Sequence, residues 1–496
     1  MSTRHPAFCR SASMHKNLRT ALATASVTAL TGGLLMVTAA PSTAAPARYA
    51  DDFNGDGYRD LAVSAPGTVV AGHDQAGAVV VTYGSSSGLQ SSRTQVVSQS
   101  SSAVPGASED GDRFGGATAS GDFNNDGYAD LAVGTPGEDT TASPQHTGTI
   151  TVLWGGKAGL AGGTILEDPP LLNLNGYGAV LTSGDFDGDG KDDDLAVASS
   201  DNSVFIYKGG TTKGGKLGGR TGFATPSLTY VNSLASGDVN GDGIDDIVAG
   251  GEDVDSRELS KQSLYLGNDS ALELQYAGDV SHGQTAAVGD IDGDGYADIV
   301  TGYPIDQRSS MPGSTLGGNV SLTFGSAGGR DTSRPAVTIT QNTAGIPGAS
   351  ETNDNFGYAI ALNDINGDGK ADLAVGTPYE SIGAEEATGS ITVIPGSSAG
   401  LAAASAYTYN QGSTGIPGAA EDGDCFGQAL ALADTNADGK ADLAVGAPGE
   451  NNNDGAVWSI KGRASGLTAT AAVSFGAATA GLPTTQWPEF GVQITR

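Results

Sequence analysis

The chain has 496 residues, with 24 Lys and Arg against 56 Asp and Glu, and its formal net charge is −32. Nucleic acids are bound through positive charge that neutralises their phosphates, so we expect no nucleic-acid partner for a chain this acidic. Much of the acidity is concentrated in seven short segments, and the remainder favours solubility.

Residues 1–47 predict a secretory signal peptide with a cleavage site near residues 45–47. Four basic residues and no acidic one occur in this segment, and they are followed by an apolar stretch and then by a run of small residues. Translation can start at Met1 or at Met14, and the sequence leaves this choice open. The segment therefore indicates a secreted, extracellular protein.

The predicted mature chain, residues 48–496, contains one cysteine, Cys425, so no internal disulfide can form. No later apolar run reaches the ~20 residues that a transmembrane helix needs. We therefore expect no transmembrane anchor, and we expect a monomer stabilised by bound metal rather than by disulfides.

An acidic nonapeptide recurs seven times in the mature chain, and each copy leads into a short apolar run such as LAV or IVA. The distances between the first residues of successive copies lie between 52 and 74 residues. A period of this size is typical of a repeat architecture. The copies begin at Asp52, Asp122, Asp185, Asp238, Asp290, Asp364 and Asp434.

Each copy has Asp at positions 1 and 5, Asp or Asn at position 3, Gly at position 6 and Asp at position 9. These side chains and a backbone carbonyl at position 7 can surround one Ca²⁺, which binds six to eight oxygens in irregular geometry. Glycine at position 6 permits the sharp turn that directs the side chains inward. The sequence thus predicts up to seven Ca²⁺ ions. The predicted ligands are Asp52, Asn54, Asp56, Tyr58, Asp60, Asp122, Asn124, Asp126, Tyr128, Asp130, Asp185, Asp187, Asp189, Lys191, Asp193, Asp238, Asn240, Asp242, Ile244, Asp246, Asp290, Asp292, Asp294, Tyr296, Asp298, Asp364, Asn366, Asp368, Lys370, Asp372, Asp434, Asn436, Asp438, Lys440 and Asp442.

The third copy carries one extra acidic residue before its apolar run. Either Asp193 or Asp194 can therefore supply the ninth-position ligand, and the sequence does not choose between them. An EF-hand or a dockerin would place such loops beside helices, whereas here short β-forming runs follow and end at Gly or Pro.

An aromatic–Gly pair, or a relative of one, stands eight residues before most of the loops, as in Phe114-Gly115 and Phe426-Gly427. The apolar run that follows each loop is itself followed by a second apolar run, for example at 148–155, and then by a weaker stretch. Each repeat therefore holds about four short strands, which is the content of one propeller blade.

The Phe-Gly pair, the acidic loop and the Gly-Ala-Pro end of the next strand together resemble the FG-GAP repeat of the integrin alpha-subunit propeller and its bacterial secreted relatives. The last element is written SAP at 64–66, GTP at 134–136 and 376–378, and GAP at 446–448. The resemblance covers residues 48–496 and implies an all-β, seven-bladed propeller with calcium loops on one face and ligand contacts on the other. Repeats three and four lack the Gly-Ala-Pro element.

The two ends of the mature chain predict how the ring closes. The first loop has no aromatic–Gly strand ahead of it, whereas the chain ends with Phe490-Gly491 and no loop after it. Counted from Phe490 through the C-terminus and on to Asp52, the spacing matches that of the other repeats. We therefore expect the C-terminal strand to pair into blade 1.

Two segments fit the G-x-S-x-G pattern of a hydrolase nucleophile, residues 84–88 and 396–400. Both fall in the predicted hairpin turn of a blade, whereas a nucleophile elbow needs a strand–turn–helix setting. The loops on the opposite face are better candidates for function because binding residues concentrate in loops on a rigid scaffold. They comprise 73–77, 105–113, 138–148, 305–318, 347–355, 379–389 and 417–425.

Two functions remain open at this stage. The first is a non-catalytic ligand-binding or adhesion module whose ligand is an unknown protein or glycan. The second is a secreted propeller enzyme, resembling a glycosylphosphatidylinositol phospholipase D or a polysaccharide lyase or hydrolase, with its active site opposite the calcium loops. The phospholipases carry their catalytic domain outside the propeller and a lyase needs a basic cluster, so we expect the first function, with no catalytic residues and no cofactor besides Ca²⁺.

Overall fold

The computed structural model describes residues 46–139, 147–169, 176–199, 202–255, 259–268, 274–307, 311–484 and 486–495. The predicted signal peptide lies outside the described residues, apart from residues 46 and 47. By its contacts the chain divides into residues 1–42 and 43–496, and the description below concerns the second unit. Within the described residues, no helix is long and apolar enough to cross a membrane.

Strands dominate the described part of the chain and form seven antiparallel sheets of three or four strands, with one small extra hairpin. Each sheet is one blade, and its strands follow one another in chain order. Blades 1 to 4 comprise β1 (Leu61–Ala65), β2 (Ala78–Thr82) and β3 (Thr94–Val97); β4 (Ala117–Gly121), β5 (Asp130–Thr135), β6 (Thr149–Leu153) and β7 (Gly163–Ile165); β8 (Leu181–Gly184), β9 (Asp194–Ala198), β10 (Ser203–Lys208) and β11 (Gly219–Ala224); and β12 (Leu228–Gly237), β13 (Asp246–Asp253), β14 (Leu259–Leu266) and β15 (Gln275–Asp279).

Blades 5 to 7 follow the same plan. Blade 5 is interrupted by the hairpin of β19 and β20, so that its outer strand is β21. These blades comprise β16 (Thr285–Gly289), β17 (Asp298–Tyr303), β18 (Asn319–Thr323), β19 (Gly325–Ser326), β20 (Gly329–Arg330) and β21 (Val337–Ile339); β22 (Ile360–Asn363), β23 (Asp372–Thr377), β24 (Ser390–Ile394) and β25 (Tyr407–Tyr409); and β26 (Ala429–Ala433), β27 (Asp442–Ala447), β28 (Ala456–Lys461) and β29 (Thr468–Gly476). Single helical turns occur at Ala403–Ser405, Glu450–Asn453 and Ala477–Ala480.

The first strands of successive blades lie side by side, in the order β4, β8, β12, β16, β22 and β26. This arrangement is a seven-bladed β-propeller, which confirms the fold class predicted from the seven repeats. The strand that follows the acidic loop, such as β5 or β23, is buried along its whole length in every blade except blade 4, where the last two residues of β13 are half-buried. That burial explains why its sequence, DLAVGT, is a continuous apolar run rather than an alternating pattern.

The core consists of apolar clusters, each formed largely between neighbouring blades. The aromatic residue of the aromatic–Gly pair lies in these clusters and is at most 1% exposed. Phe114, for example, packs with Val79 of blade 1 and Leu131 of blade 2. The aromatic side chain of the pair therefore packs between neighbouring blades. The buried aromatic residues are Phe114, Tyr177, Phe356, Phe426 and Phe490.

The C-terminal segment runs antiparallel to β1. The N–H of Ser64 donates to the carbonyl of Gln493 at 2.9 Å, and the N–H of Thr495 donates to the carbonyl of Ala62 at 2.9 Å. Phe490 packs with Leu61 and other residues of blades 1 and 7 in one cluster. Blade 1, with three strands of its own, thus has a fourth segment beside its first strand.

Candidate metal centres

The seven acidic loops lie on one face of the propeller, where each leads into the second strand of its blade or, in blade 1, into β1. All seven share one backbone scaffold. The Asp at position 1 accepts the N–H of position 5 through Oδ1 at 3.0–3.2 Å and the N–H of the Gly at position 6 through Oδ2 at 2.7–3.0 Å. The glycine permits this turn with a positive φ, for example 88° at Gly57.

The Asp at position 9 ties each loop to the hairpin of its own blade, a role that sequence reasoning missed. Its Oδ1 accepts the N–H of a glycine that follows the next strand, at 2.8–3.0 Å in all seven blades. In five loops its Oδ2 also accepts the N–H of position 2, as Asp60 does from Phe53 at 3.0 Å. The donor glycines are Gly84, Gly155, Gly209, Gly267, Gly325, Gly396 and Gly462.

These glycines are required by close approach. A Cβ at Gly462 would lie 2.3 Å from the carbonyl oxygen of Ala441, and one at Gly155 would lie 2.0 Å from that of Ala129. No side chain fits at such distances, so only glycine can bring its N–H up to the aspartate. The signal was present in the sequence, because most of the second apolar runs end in Gly, but its meaning depends on a contact between distant residues.

In the third loop, Asp194 rather than Asp193 makes the hydrogen bonds of position 9, which favours one of the two residues that the sequence left open. Asp194 accepts the N–H groups of Phe186 at 3.1 Å and Gly209 at 2.9 Å, as the ninth residue does in the other loops. The side chain of Asp193 instead accepts a hydrogen bond from Asn125 of the neighbouring loop at 2.6 Å. The inserted residue shifts the register by one, so the last acid before the strand takes the ninth position.

Two loops bring three carboxylates together in the described part of the chain. Oxygens of Asp185, Asp187 and Asp194 lie within 4.8 Å of one another, and so do those of a second set in the fifth loop. These are the two loops with Asp at position 3, whereas the other five have Asn there. The second set comprises Asp290, Asp292 and Asp294.

The residues present fit a hard divalent cation. The donors are all oxygens, the ligands that Ca²⁺ prefers. In the fifth loop, Oδ1 of Asp292 is buried and accepts no hydrogen bond, although a buried carboxylate oxygen without a partner is costly. A cation held by the acidic loop would supply the missing partner and compensate the clustered negative charge.

Burial raises the pKa of several ninth-position carboxyls, to about 8 for Asp60 and Asp130 and to about 7 for Asp194, Asp246 and Asp298. The physical cause is that a carboxylate taken out of water without a countercharge is unfavourable. The negative charges of the other loop aspartates act in the same direction on all five residues. The loops therefore concentrate carboxyl groups at one point, and basic side chains offset their charge only in part.

Basic side chains of neighbouring elements reach several loops, and sequence reasoning missed them. Lys208 Nζ lies 2.6 Å from Asp187 Oδ2, and Arg334 Nη1 lies 2.7 Å from Asp292 Oδ2. Both partners are the position-3 aspartates that give their loops an additional negative charge. Part of the extra charge in these two loops is thus already paired.

Neighbouring loops are also connected to each other. In five pairs, the N–H of position 8 donates to the carbonyl of position 1 in the preceding loop at 2.8–3.1 Å, as Ala441 does to Asp364. Side chains of position 7 pack on the preceding loop as well, and a Cβ added at Gly55 would lie 2.6 Å from the ring of Tyr128. The loops therefore form a connected band rather than seven separate turns.

The opposite face carries the connections that follow the second strand of each blade and those that link the blades. At three blade junctions a buried Gln donates from Nε2 to a Glu of the next blade at 2.5–2.6 Å. Burial raises the pKa of each Glu to about 7. The pairs are Gln99–Glu138, Gln341–Glu380 and Gln411–Glu450.

The G-x-S-x-G segments lie in the turns predicted for them. Ser85 and Ser397 each accept and donate within their own turn, with Oγ donating to the carbonyl of Gly88 and Gly400 at 2.7 Å. Burial and the nearby Asp424 raise the pKa of the Cys425 thiol to about 11. The thiolate, which is the reactive form, is therefore scarce near neutral pH.

The fold and the loops together define a seven-bladed β-propeller with an acidic loop in each blade. The FG-GAP repeat profile matches residues 50–82, 114–153, 282–322, 356–394 and 426–460, and an FG-GAP-like repeat profile matches residues 185–249. Together these segments make up about half of the chain and include all seven acidic loops. The chain therefore contains FG-GAP repeats.

The curated relatives described here match the chain over less than a fifth of their own length. Phosphatidylinositol-glycan-specific phospholipase D of Rattus norvegicus is 34% identical over 171 residues, which cover 33% of this chain and 19% of that protein. Integrin alpha-V of Gallus gallus is 30% identical over 177 residues, which cover 34% of this chain and 15% of that protein. Among solved structures, Saccharomyces cerevisiae Sqt1 aligns over 72% of this chain and 74% of its own, with 12% identity and a TM-score of 0.41, too low to support an argument.

Proposed function

We propose that this protein is a secreted, calcium-stabilised propeller that binds a ligand on the face opposite the acidic loops and has no catalytic activity of its own. Calcium binding is supported by a hydrogen-bond arrangement common to all seven loops, in which backbone N–H groups fix the position-1 carboxylate. The ligands would be the predicted residues, with Asp194 in place of Asp193. Bound Ca²⁺ would compensate the negative charge of each loop.

Calcium should raise the melting temperature. With extracellular-type affinities of roughly 10⁻⁴–10⁻³ M, millimolar Ca²⁺ would bind the folded state at several loops and shift the midpoint by about 5–15 °C relative to EDTA. Differential scanning calorimetry measures this shift. Mg²⁺ at the same concentration is the control, and it should act less because it requires a tighter octahedron. An unchanged midpoint in Ca²⁺ would contradict the proposal.

The ligand-binding part rests on the loops of the opposite face and on the similarity to integrin alpha chains within the propeller repeats. Loops on one rim of a rigid scaffold are the usual place for binding residues. The ligand class that we propose is a protein or a glycan. Binding to a glycan array and to immobilised extracellular proteins tests this.

A matched pair of variants locates the binding face. The double variant Glu385→Ala/Glu386→Ala changes two exposed residues of the opposite face, and Ser398→Ala changes an exposed turn on the face of the acidic loops. If 379–389 contacts the ligand, the double variant should weaken binding about tenfold, as interface truncations often do, and Ser398→Ala should leave it unchanged. Equal loss in both variants would place the ligand elsewhere.

We further propose that residues 486–496 close the ring by completing blade 1. The hydrogen bonds of this segment to β1 and the burial of Phe490 support the proposal. A closed ring leaves no unpaired edge at its inner strands, which protects a propeller from edge-to-edge association.

An enzymatic function is the alternative, and the observation in its favour is the similarity to phosphatidylinositol-glycan-specific phospholipase D. The match covers less than a fifth of that protein, so its activity does not transfer with the repeats. Release of a glycosylphosphatidylinositol-anchored reporter from vesicles tests the alternative directly. Calcium-dependent release by the purified chain would overturn the non-catalytic proposal.

A further inference from the structure

Three blade junctions carry the same three side chains on the face opposite the acidic loops. A Gln stands two residues after the last strand of one blade, a Glu stands three residues after the second strand of the next blade, and an Asp stands two residues before the buried Phe. We call each set a rim triad. The rim triads are Gln99, Glu138 and Asp112; Gln341, Glu380 and Asp354; and Gln411, Glu450 and Asp424.

The three residues of a rim triad are held together by direct contacts. The Gln contacts the Glu in every triad, always across 39 residues of sequence. The Asp lies close enough for its charge to act on the Glu in every triad, and Gln411 also hydrogen-bonds Asp424. Each Asp accepts the N–H of a residue three positions earlier through Oδ2.

The Gln side chain supplies an independent sign of a missing partner. Gln99, Gln341 and Gln411 are only 5%, 4% and 3% exposed, and Oε1 of each accepts no hydrogen bond. In each side chain Nε2 is the amide atom that contacts the Glu carboxylate, while Oε1 is left without a partner. Buried amide oxygens are normally paired, so the same vacancy at three equivalent places calls for a common explanation.

Lys and Arg side chains are absent from the main electrostatic partners of the rim triads. Among the described residues, neither type acts on Asp112, Asp354 or Asp424, although His73 acts on Asp112. Neither type acts on the three Glu residues. Each triad thus combines two carboxylates and an unpaired amide oxygen without a Lys or Arg countercharge.

We propose that each rim triad binds a divalent cation of the Ca²⁺ type, which makes three further metal sites outside the acidic loops. Carboxylate and amide oxygens are the ligands of such a hard cation, which accepts irregular geometry and completes its shell with backbone carbonyls and water. The Gln amide turns end for end so that Oε1 faces the cation, which replaces the contact of Nε2 with the Glu and, at Gln411, also the 3.4 Å hydrogen bond from Nε2 to the carbonyl of Ala419. The Gln comes from one blade and the Glu from the next, so the cation bridges the blade junction.

The number of bound ions provides the first test. The full chain is stripped with EDTA and dialysed to equilibrium against millimolar Ca²⁺, and the excess calcium per chain on the protein side of the membrane is measured by mass spectrometry. The triple variant Glu138→Gln/Glu380→Gln/Glu450→Gln keeps the size of each side chain but removes its charge. We expect it to bind three fewer ions than the parent protein. The control, Asp74→Asn/Glu385→Gln/Glu386→Gln, removes three charges from exposed residues of the same face and should lose none.

Equal stoichiometry in the parent and the triple variant would overturn the proposal. It would also be overturned if the triple variant were more stable than the parent by the same margin in EDTA and in Ca²⁺, because the carboxyls would then hold protons rather than a metal. Loss of the same number of ions from the control would show that only general surface charge matters, which is equally incompatible with the proposed sites.

A second variant keeps the test decisive if the triple variant folds poorly. Gln411→Glu adds a carboxylate to one triad. With a cation site, this change strengthens binding there, so the difference in melting temperature between Ca²⁺ and EDTA should become larger than in the parent protein. Without a site, the added buried charge destabilises the protein equally in both conditions, and that result would contradict the proposal.

Discussion

At the scale of single residues, the aspartates of the acidic loops do two kinds of work. Those at positions 1 and 9 organise the backbone through hydrogen bonds, whereas those at position 5 make fewer backbone contacts, such as the hydrogen bond that Asp438 accepts from the N–H of Lys440. A substitution at position 5 therefore reports on metal binding more cleanly than one at position 1 or 9.

Asp438→Ala should lower the free energy of unfolding in millimolar Ca²⁺ by about 1–3 kcal/mol, because it removes one predicted ligand of the seventh loop. Ser398→Ala is the control, since this serine is exposed in a turn and its loss should cost less than about 0.5 kcal/mol. Urea denaturation with and without Ca²⁺ measures both. If the two variants lost the same stability, or if Asp438→Ala behaved identically in EDTA and Ca²⁺, the seventh loop would not be a cation site.

Cys425 should react slowly with thiol reagents in the folded protein. Its pKa is raised to about 11 from an ordinary 9, so at a pH below both values the thiolate is about a hundredfold scarcer than in an exposed cysteine. The rate of reaction with iodoacetamide at pH 8 measures this, and the urea-unfolded chain is the control. A native rate equal to the unfolded one would contradict the expected protection.

At the scale of elements, the loop and the hairpin of each blade are joined by one aspartate–glycine hydrogen bond, which links the predicted metal centre to the strands. The loops are in turn joined to one another by bonds between positions 1 and 8. A change in one loop is therefore expected to reach its neighbour through the backbone and not only through charge.

Gly462→Ala should destabilise the protein by about 1–3 kcal/mol, because the new Cβ would lie 2.3 Å from a backbone oxygen that cannot move freely. The displaced N–H would also lose its bond to Asp442. Gly328→Ala is a matched control, because a Cβ there meets nothing within 4 Å. Thermal unfolding of both variants is the measurement, and similar losses in the two would remove the close-approach explanation.

At the scale of the whole molecule, the propeller depends on the junction between blades 7 and 1. The cluster at this junction contains residues of both blades together with Phe490 and Ile494 of the C-terminal segment. The sequence predicts that the C-terminal segment closes the ring, and Phe490 and Ile494 of this cluster lie within that segment, residues 486–496.

Deleting residues 486–496 should cause aggregation and a large loss of stability, because it exposes the edge of β1 and removes the buried Phe490. Moving the same segment ahead of Asp51 should restore a folded monomer. Size-exclusion chromatography and thermal unfolding measure both outcomes. The single change Trp487→Ala is the control, since this side chain is 70% exposed. A truncated chain that stays monomeric and melts like the parent would show that the segment does not close the ring.

The sequence by itself determined the number of blades and the placement of the acidic loops. Both follow from short segments in which the informative residues are close together, such as nine residues of loop followed directly by a strand. The aromatic–Gly pair could be recognised in the same way, because it stands at a fixed distance before most of the loops. Local spacing carries this information without knowledge of the tertiary contacts.

Only the tertiary structure decided which residues meet across the chain. It favoured Asp194 at the ninth position of the third loop, because this carboxylate accepts the N–H of Gly209. It explained the glycines that follow the second apolar run of most repeats, because a carbonyl oxygen of the acidic loop leaves no room there for a side chain. It also showed that Gln and Glu residues 39 positions apart are in contact at three junctions. These contacts join residues of different strands or blades. They could not be predicted from the sequence, because a local pattern does not show which distant atoms lie within about 3 Å of each other in the folded chain.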